Sequence, residues 1–159
     1  MIVKEVKDED FINYKKPSMF IAFPSCTFKC EKECGEHCCQ NSALAQAPNV
    51  EIDIDDLVNR YINNPITQAV VCGGLEPMDS FEDLWRFIFH LRVKGCFDDV
   101  VIYSGYYEDE LSKEYLTRLS LVPNIIIKFG RYIQNQQPHY DKTLGVNLAS
   151  DNQYARRIS

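Results

Sequence analysis

The sequence has no apolar run near the ~20 residues that a bilayer-crossing helix needs, which argues against a membrane-embedded chain. It has no excess of basic residues either. Seventeen Lys and Arg stand against 23 Asp and Glu, a formal charge of −6. No basic face for non-specific nucleic-acid binding is expected from that balance. The first residues, MIVKEVKDEDF, lack the apolar core of a signal peptide. The expectation is a cytoplasmic protein whose thiols stay reduced. Histidine is scarce, at three residues. His37 reads as a loop residue near the cysteines, His90 as a helix residue, and His139 as part of a polar tail. The single tryptophan, Trp85, reads as core. No internal repeat, low-complexity run or linker divides the 159 residues, so one domain over 1–159 is expected.

What the sequence does have is cysteine, concentrated in one place. Five of its seven cysteines lie in PSCTFKCEKECGEHCCQN, Pro24 to Asn41. They are Cys26, Cys30, Cys34, Cys38 and Cys39; Cys72 and Cys96 stand apart. Such a density implies a metal or cluster site or a disulfide knot. Reduced surroundings and an odd count argue against a disulfide framework. Spacing alone does not separate zinc from iron and sulfur. Cys26 and Cys30 could pair with Cys34 and Cys38 or Cys39 around zinc, with His37 joining, and cysteine thiolates equally hold iron–sulfur clusters.

The rest of the chain reads as alternating strands and helices. Ile2 to Lys7 alternates as an edge strand does, and Asp8 to Pro17 reads as a loop. Met19–Phe23, Ala69–Cys72, Val100–Tyr103 and Ile125–Phe129 are short apolar runs suited to the buried strands of a parallel sheet. Between them, Ile54–Ile62 has helical periodicity with Asp53 as its cap. A second helix is expected from Ser80, with Asp83 forming a near-capping box, an inner stripe of Phe81, Leu84, Trp85, Ile88 and Leu91, and Gly95 as its stop. A third is expected over about 108–119. Val146–Leu148 reads as a last short strand. This order predicts an α/β fold. Each buried strand runs into a marked loop: the cysteines, Gly73-Gly74-Leu75-Glu76-Pro77, Ser104-Gly105-Tyr106, and Gly130-Arg131-Tyr132. Right-handed crossovers place all four loops at one edge of the sheet, where α/β folds build their sites.

These motifs, in this order, resemble the radical S-adenosylmethionine superfamily. More closely, they resemble the small activating proteins of anaerobic ribonucleoside-triphosphate reductase. The superfamily pattern is C-x3-C-x2-C. Cys26 and Cys30 supply its first half, but Glu33 stands at the third position. Two candidates for the third ligand follow: Cys39, whose Cys39-Gln40-Asn41 matches the family's Cys-x-Asn and which we prefer, and Cys34, the nearest in spacing. In the first alignment Cys34 and Cys38 are surplus thiols in an inserted segment. Gly73-Gly74-Leu75-Glu76-Pro77 resembles Gly-Gly-Glu-Pro, with Leu75 inserted. Tyr103-Ser104-Gly105-Tyr106 resembles Tyr-Thr-Gly-Tyr. Phe129 to Ile133 resembles the Asp-Gly-Pro-Phe segment, with Lys128 where the acid is often found. Ser150, Asn152 and Gln153 match parts of the terminal Gly-Ser-Ser-Asn-Gln. The likeness runs from about Met19 to Gln153.

The resemblance implies an incomplete (β/α) barrel of the radical SAM type, open at one side, with a parallel sheet. It implies a [4Fe–4S] cluster on Cys26, Cys30 and Cys39. S-adenosylmethionine would be bound by Asn41, Gly73, Gly74, Glu76, Pro77, Ser104, Gly105, Tyr106, Ser150 and Asn152. It further implies reductive cleavage of that cofactor to methionine and a 5′-deoxyadenosyl radical, which makes a glycyl radical on anaerobic ribonucleoside-triphosphate reductase. An electron donor such as flavodoxin or ferredoxin would be needed. The cofactors carry that chemistry, so no side-chain acid or base is assigned. The competing expectations are a radical enzyme acting on another small molecule or peptide, and a non-enzymatic zinc-binding module.

Overall fold

The computed structural model describes residues 1–35 and 38–159. In chain order the strands are β1 (Ile2–Val3), β2 (Glu5–Asp10), β3 (Ser18–Phe23), β4 (Val50–Glu51), β5 (Ala69–Gly74), β6 (Asp99–Tyr103), β7 (Ile125–Phe129), β8 (His139–Asp141), β9 (Val146–Leu148) and β10 (Tyr154–Arg157). The helices are α1 (Lys29–Cys34), α2 (Ser42–Gln46), α3 (Ile54–Ile62), α4 (Phe81–Val93) and α5 (Lys113–Ser120). Six strands make the main sheet, in the order β10-β7-β6-β5-β3-β2. The four apolar runs are its centre, β3, β5, β6 and β7, all parallel. β2 and β10 flank them antiparallel. The sheet is therefore mixed, because its two borders come from polar segments at the ends of the chain.

Side-chain alternation along the central strands separates two cores. Ile21, Val70, Cys72, Val100, Ile102, Ile125 and Ile127 point to one face, where they meet Leu57 and Val58 of α3, Leu84, Phe87, Ile88 and Leu91 of α4, and Leu119 of α5. Each such fully buried Leu or Ile contributes roughly 1.5–3 kcal/mol. The opposite face carries Ala69, Val71, Val101 and Ile126, covered by Tyr14, Leu144 and Leu148. That cover leaves the carboxyl ends of the strands open, and the cavity described below lies there.

α3 has the expected bounds, and the Asp53 carboxylate accepts from the amides of Asp55 and Asp56. Several expectations need correction. Ser80 makes no side-chain cap; the chain enters α4 through a 3₁₀ turn, Pro77–Ser80, and Glu76 caps that turn through the Met78 amide. Trp85 is only partly buried, and Phe87 takes the core position beside Ile88. The third helix starts later, at Lys113, after a separate 3₁₀ turn at Glu108–Glu110. β2 continues to Asp10, inside the segment read as a loop, because it pairs with β3. Ser42 to Val50 holds the short helix α2 rather than a plain connection. Among the described residues, no helix is long and apolar enough to cross a membrane.

Candidate iron–sulfur site

β3 delivers its chain directly into the cysteine stretch. Phe28 takes a left-handed backbone, φ 53°, and its amide lies 3.2 Å from Cys26 Sγ. That turn starts α1, whose second residue is Cys30. Two other loops hold the start of the stretch in place. The Glu76 amide donates to Ser25 O at 2.8 Å. The Thr27 amide donates to Asp79 Oδ2 at 2.8 Å, and the Tyr106 hydroxyl donates to Asp79 Oδ1 at 2.6 Å. The far end is tied by Asn41, whose Nδ2 donates to Gly74 O at 2.7 Å. Cys39 is thereby brought beside the end of β5.

Gly74 is irreplaceable for a steric reason. Its φ is +86°, and a Cβ there would meet Ala22 Cα at 2.8 Å. The loop that follows buries Glu76, which is 4% exposed. Its two oxygens accept from the Met78 amide at 3.1 Å and the Gly105 amide at 2.7 Å. One carboxylate thus joins the loops after β5 and β6. Burial pushes this carboxyl up to about 7, against the lowering effect of those two amides and of the Ser104 hydroxyl.

The end of β7 and the loop after it contribute two cations. Lys128 Nζ donates to Ser104 O and Gly130 O. Arg131 reaches back to α1: its guanidinium makes paired bonds to Glu33 and to Glu110, between 2.7 and 2.8 Å, and lies 4.6 Å from the centre of the Tyr107 ring. All four strand-end loops line one cavity of about 360 Å³. That volume is in the range of small-molecule sites.

Of the residues singled out from sequence, Cys26, Cys30, Cys39, Asn41, Gly73, Gly74, Glu76, Ser104, Gly105 and Tyr106 all line this cavity. Pro77 is buried beneath it in the 3₁₀ turn. Ser150 and Asn152 lie behind the wall. Ser150 Oγ donates to Asn152 Oδ1, and Asn152 Nδ2 donates to Arg131 O and to Tyr107 Oη, so this pair buttresses the Arg131 loop. Cys34, the alternative third ligand, is bonded to Cys38 in a disulfide and offers no thiolate while so paired. One disulfide therefore exists where reduced thiols were expected. His37 falls outside the described residues. Asp79, Lys128 and Arg131 gain their roles here from partners remote in sequence. Cys72 is core, and Cys96 is half-buried after α4.

Cys26, Cys30 and Cys39 are free. Burial pushes the Cys26 thiol up to about 11, and burial, with the neighbouring Cys39, raises Cys30. Thiols so placed ionise when a soft metal replaces the proton. Among the described residues, no three His, Cys, Asp or Glu side chains form a site for a single metal ion. The three thiols line the cavity. Residues 18–154, nearly the whole chain from β3 into β10, match the family described as 4Fe-4S single cluster domain. The chain belongs to that family. No curated protein matches it. In a 4Fe-4S single cluster domain the donor set must be thiolate-rich, and the three free cysteines on the cavity wall fit that demand.

Proposed function

We propose that this iron–sulfur protein is a radical S-adenosylmethionine enzyme that generates a glycyl radical on anaerobic ribonucleoside-triphosphate reductase. One observation carries the reading: three free thiols, Cys26, Cys30 and Cys39, share a cavity with a buried carboxylate, Glu76, and the glycine turn before it. In this proposal the mixed sheet is an incomplete (β/α) barrel, the protein is cytoplasmic, and a flavodoxin or ferredoxin supplies electrons. Cys26, Cys30 and Cys39 would hold the cluster, which would supply the one electron that cleaves S-adenosylmethionine to methionine and a 5′-deoxyadenosyl radical able to take a hydrogen atom from a glycine of the partner. The chain's own residues bind and orient. Asn41 keeps the Cys39 segment against β5 through Gly74 O. Glu76, with acceptor capacity left beyond the Met78 and Gly105 amides and the Ser104 hydroxyl, accepts an ammonium. Asp79 and Tyr106 hold the Cys26 loop over the opening.

The test is anaerobic incubation of reconstituted protein with S-adenosylmethionine and a strong reductant. 5′-Deoxyadenosine should form well above a Cys26→Ala control. Equal, background amounts would overturn the reading. Product without a glycyl radical on added reductase would favour another substrate, and a colourless protein holding zinc would favour the zinc-binding module.

A further inference from the structure

Glu33 stands at the third position of the C-x3-C-x2-C pattern, three residues after Cys30. In the folded chain it does not line the cavity that Cys26, Cys30 and Cys39 share. Its carboxylate is turned to Arg131, accepting from Nε at 2.8 Å and from Nη2 at 2.8 Å. Arg131 is itself 5% exposed. A guanidinium has five N–H donors, and every one of them has an acceptor in the chain. Glu33 takes two. Glu110 takes two more, from Nη1 at 2.8 Å and Nη2 at 2.7 Å. Gly105 O takes the last, from Nη1 at 3.3 Å. No donor is left for a ligand, so Arg131 acts on the chain itself.

Helix α1 needs such a hold. It is six residues long, starts without a side-chain cap and buries none of its residues. A helix that short is not stable by itself. Lys29 and Glu33 lie one turn apart on it and share a face, with Cys30 between them in sequence. Lys29 pairs with Glu110 at 3.2 Å and lies 4.6 Å from the centre of the Tyr106 ring. Two cations and two anions therefore join in a row, Lys29, Glu110, Arg131 and Glu33. They fasten α1 to the loops after β6 and β7. Arg131 is backed in turn by the Tyr107 ring, and Asn152 holds its carbonyl.

We propose that Arg131 is the positioning residue of the cluster site: through Glu33 and Glu110 it fixes α1, and with it Cys30, before iron arrives, so that the third thiolate can come from Cys39 beyond the inserted segment. A cysteine at position 33 would be fastened to the site by its own bond to iron. Glu33 has no such bond, and the ion pair with Arg131 takes its place. This rests on the three-cysteine ligand set proposed above and not on S-adenosylmethionine. Because the Glu33 side chain is 58% exposed, the pair adds little to global stability. Its effect is local, on where α1 sits.

The experiment follows iron release from the anaerobically reconstituted protein to a ferrous chelator, bathophenanthroline, in the parent, Glu33→Gln, Arg131→Met, Arg131→Lys and the Glu33→Gln/Arg131→Met double variant. Urea unfolding of each cluster-free protein runs beside it. Glu33→Gln should release iron about tenfold faster than the parent at low salt, the usual scale for a group that orients a metal ligand from behind. Its unfolding should coincide with that of the parent. Salt at about 1 M should bring the parent most of the way to the rate of the variant. Arg131→Lys should recover only part of what Arg131→Met loses, because an ammonium cannot serve both carboxylates as the planar fork does. In Arg131→Met, the added Glu33→Gln change should have little further effect. Equal release by the parent and Glu33→Gln overturns the assignment. So do additive losses in the double variant, or a faster release that only follows a matching fall in cluster-free stability. All three leave the radical-enzyme reading intact. Iron retained by Cys39→Ala removes the ligand set, and this inference with it, whereas background 5′-deoxyadenosine from a protein that holds its iron leaves the Arg131 assignment standing.

Discussion

The two ends of the central sheet both bury charge, and they do so in opposite ways. At the amino ends of the strands, Asp99 opens β6 and is 5% exposed. It accepts from Tyr14 Oη at 3.0 Å, Lys16 Nζ at 2.6 Å and Arg157 Nη2 at 2.7 Å. Burial alone would raise its carboxyl, but the bonds from Lys16 and Arg157 outweigh that and hold it below its usual range. At the carboxyl ends, burial wins instead. Glu76 is pushed up to about 7 and Lys128 down to about 8. A charge with partners on every side fastens the fold; a charge left short of partners is poised for a ligand. The first end ties the loop at Tyr14–Lys16 and the strand β10 to the sheet. The second surrounds the cavity with the free cysteines.

The sharpest break between the ends should come from cysteine. Cys39→Ala is expected to abolish the cluster, removing its visible absorption and bound iron, with the fold retained because Cys39 is no part of either core. Cys34→Ala should leave the cluster largely intact, since Cys34 is paired with Cys38 outside the set of free thiols. Iron content after anaerobic reconstitution decides it. Loss of iron in Cys34→Ala with retention in Cys39→Ala would mean that the inserted segment supplies the ligand.

The amino-terminal end was almost invisible in the sequence, and the carboxyl-terminal end only half visible. β3, β5, β6 and β7 announce themselves as apolar runs, and α3 carries its own cap, Asp53. Those signals are local. β8 and β10 carry no such signal: they are short and polar, and are strands because β9 and β7 pair with them. In the site, the cysteines and the Gly73-Gly74 turn stand out as motifs. Arg131 does not, because its partner Glu33 lies 98 residues away in sequence, nor does Asp79, which meets Thr27 across 52. Lys128 could be noticed as the single charge inside Ile-Ile-Ile-Lys-Phe, but its burial beside Ser104 and Gly130, with no ion pair among the described residues, is a property of the folded chain. The same holds for Asp99, whose partners come from the loop after β2 and from β10.

Asp99→Ala should therefore be the largest loss of stability among single changes at the two ends. It leaves the buried Tyr14 hydroxyl and the part-exposed Lys16 and Arg157 without their acceptor, a loss of about 2–3 kcal/mol. For a chain of this size that is a fall of roughly 5–10 °C in Tm. Cluster content of the protein that remains folded should not change. The same carboxylate sets an acid limit. Because its pKa is lower folded than unfolded, its stabilisation is fully present above the unfolded value of ~3.9 and is lost as pH falls through the folded value. Acid unfolding followed by circular dichroism should begin at higher pH when Asp99 is replaced by Asn.

Lys128→Met is the matching change at the other end, and its effect on stability should be the smallest. Two terms oppose. The variant no longer buries an ammonium that forms no ion pair among the described residues. It also strips Ser104 O of a donor, a loss of about 1–3 kcal/mol, while Gly130 O keeps the Gln153 amide at 3.2 Å. The cluster-free variant should unfold within about 1 kcal/mol of the parent at neutral pH. Its pH dependence should have the same sign as that of Asp99 but fall in an alkaline window. The Lys128 pKa is lower folded than unfolded, so between about 8 and ~10.4 the unfolded chain binds more protons, and the parent gains stability as pH rises through that window. Lys128→Met should lack this gain. If the variant instead loses several kcal/mol in urea titrations, Lys128 fastens the sheet as Asp99 does, and the distinction between the two ends disappears.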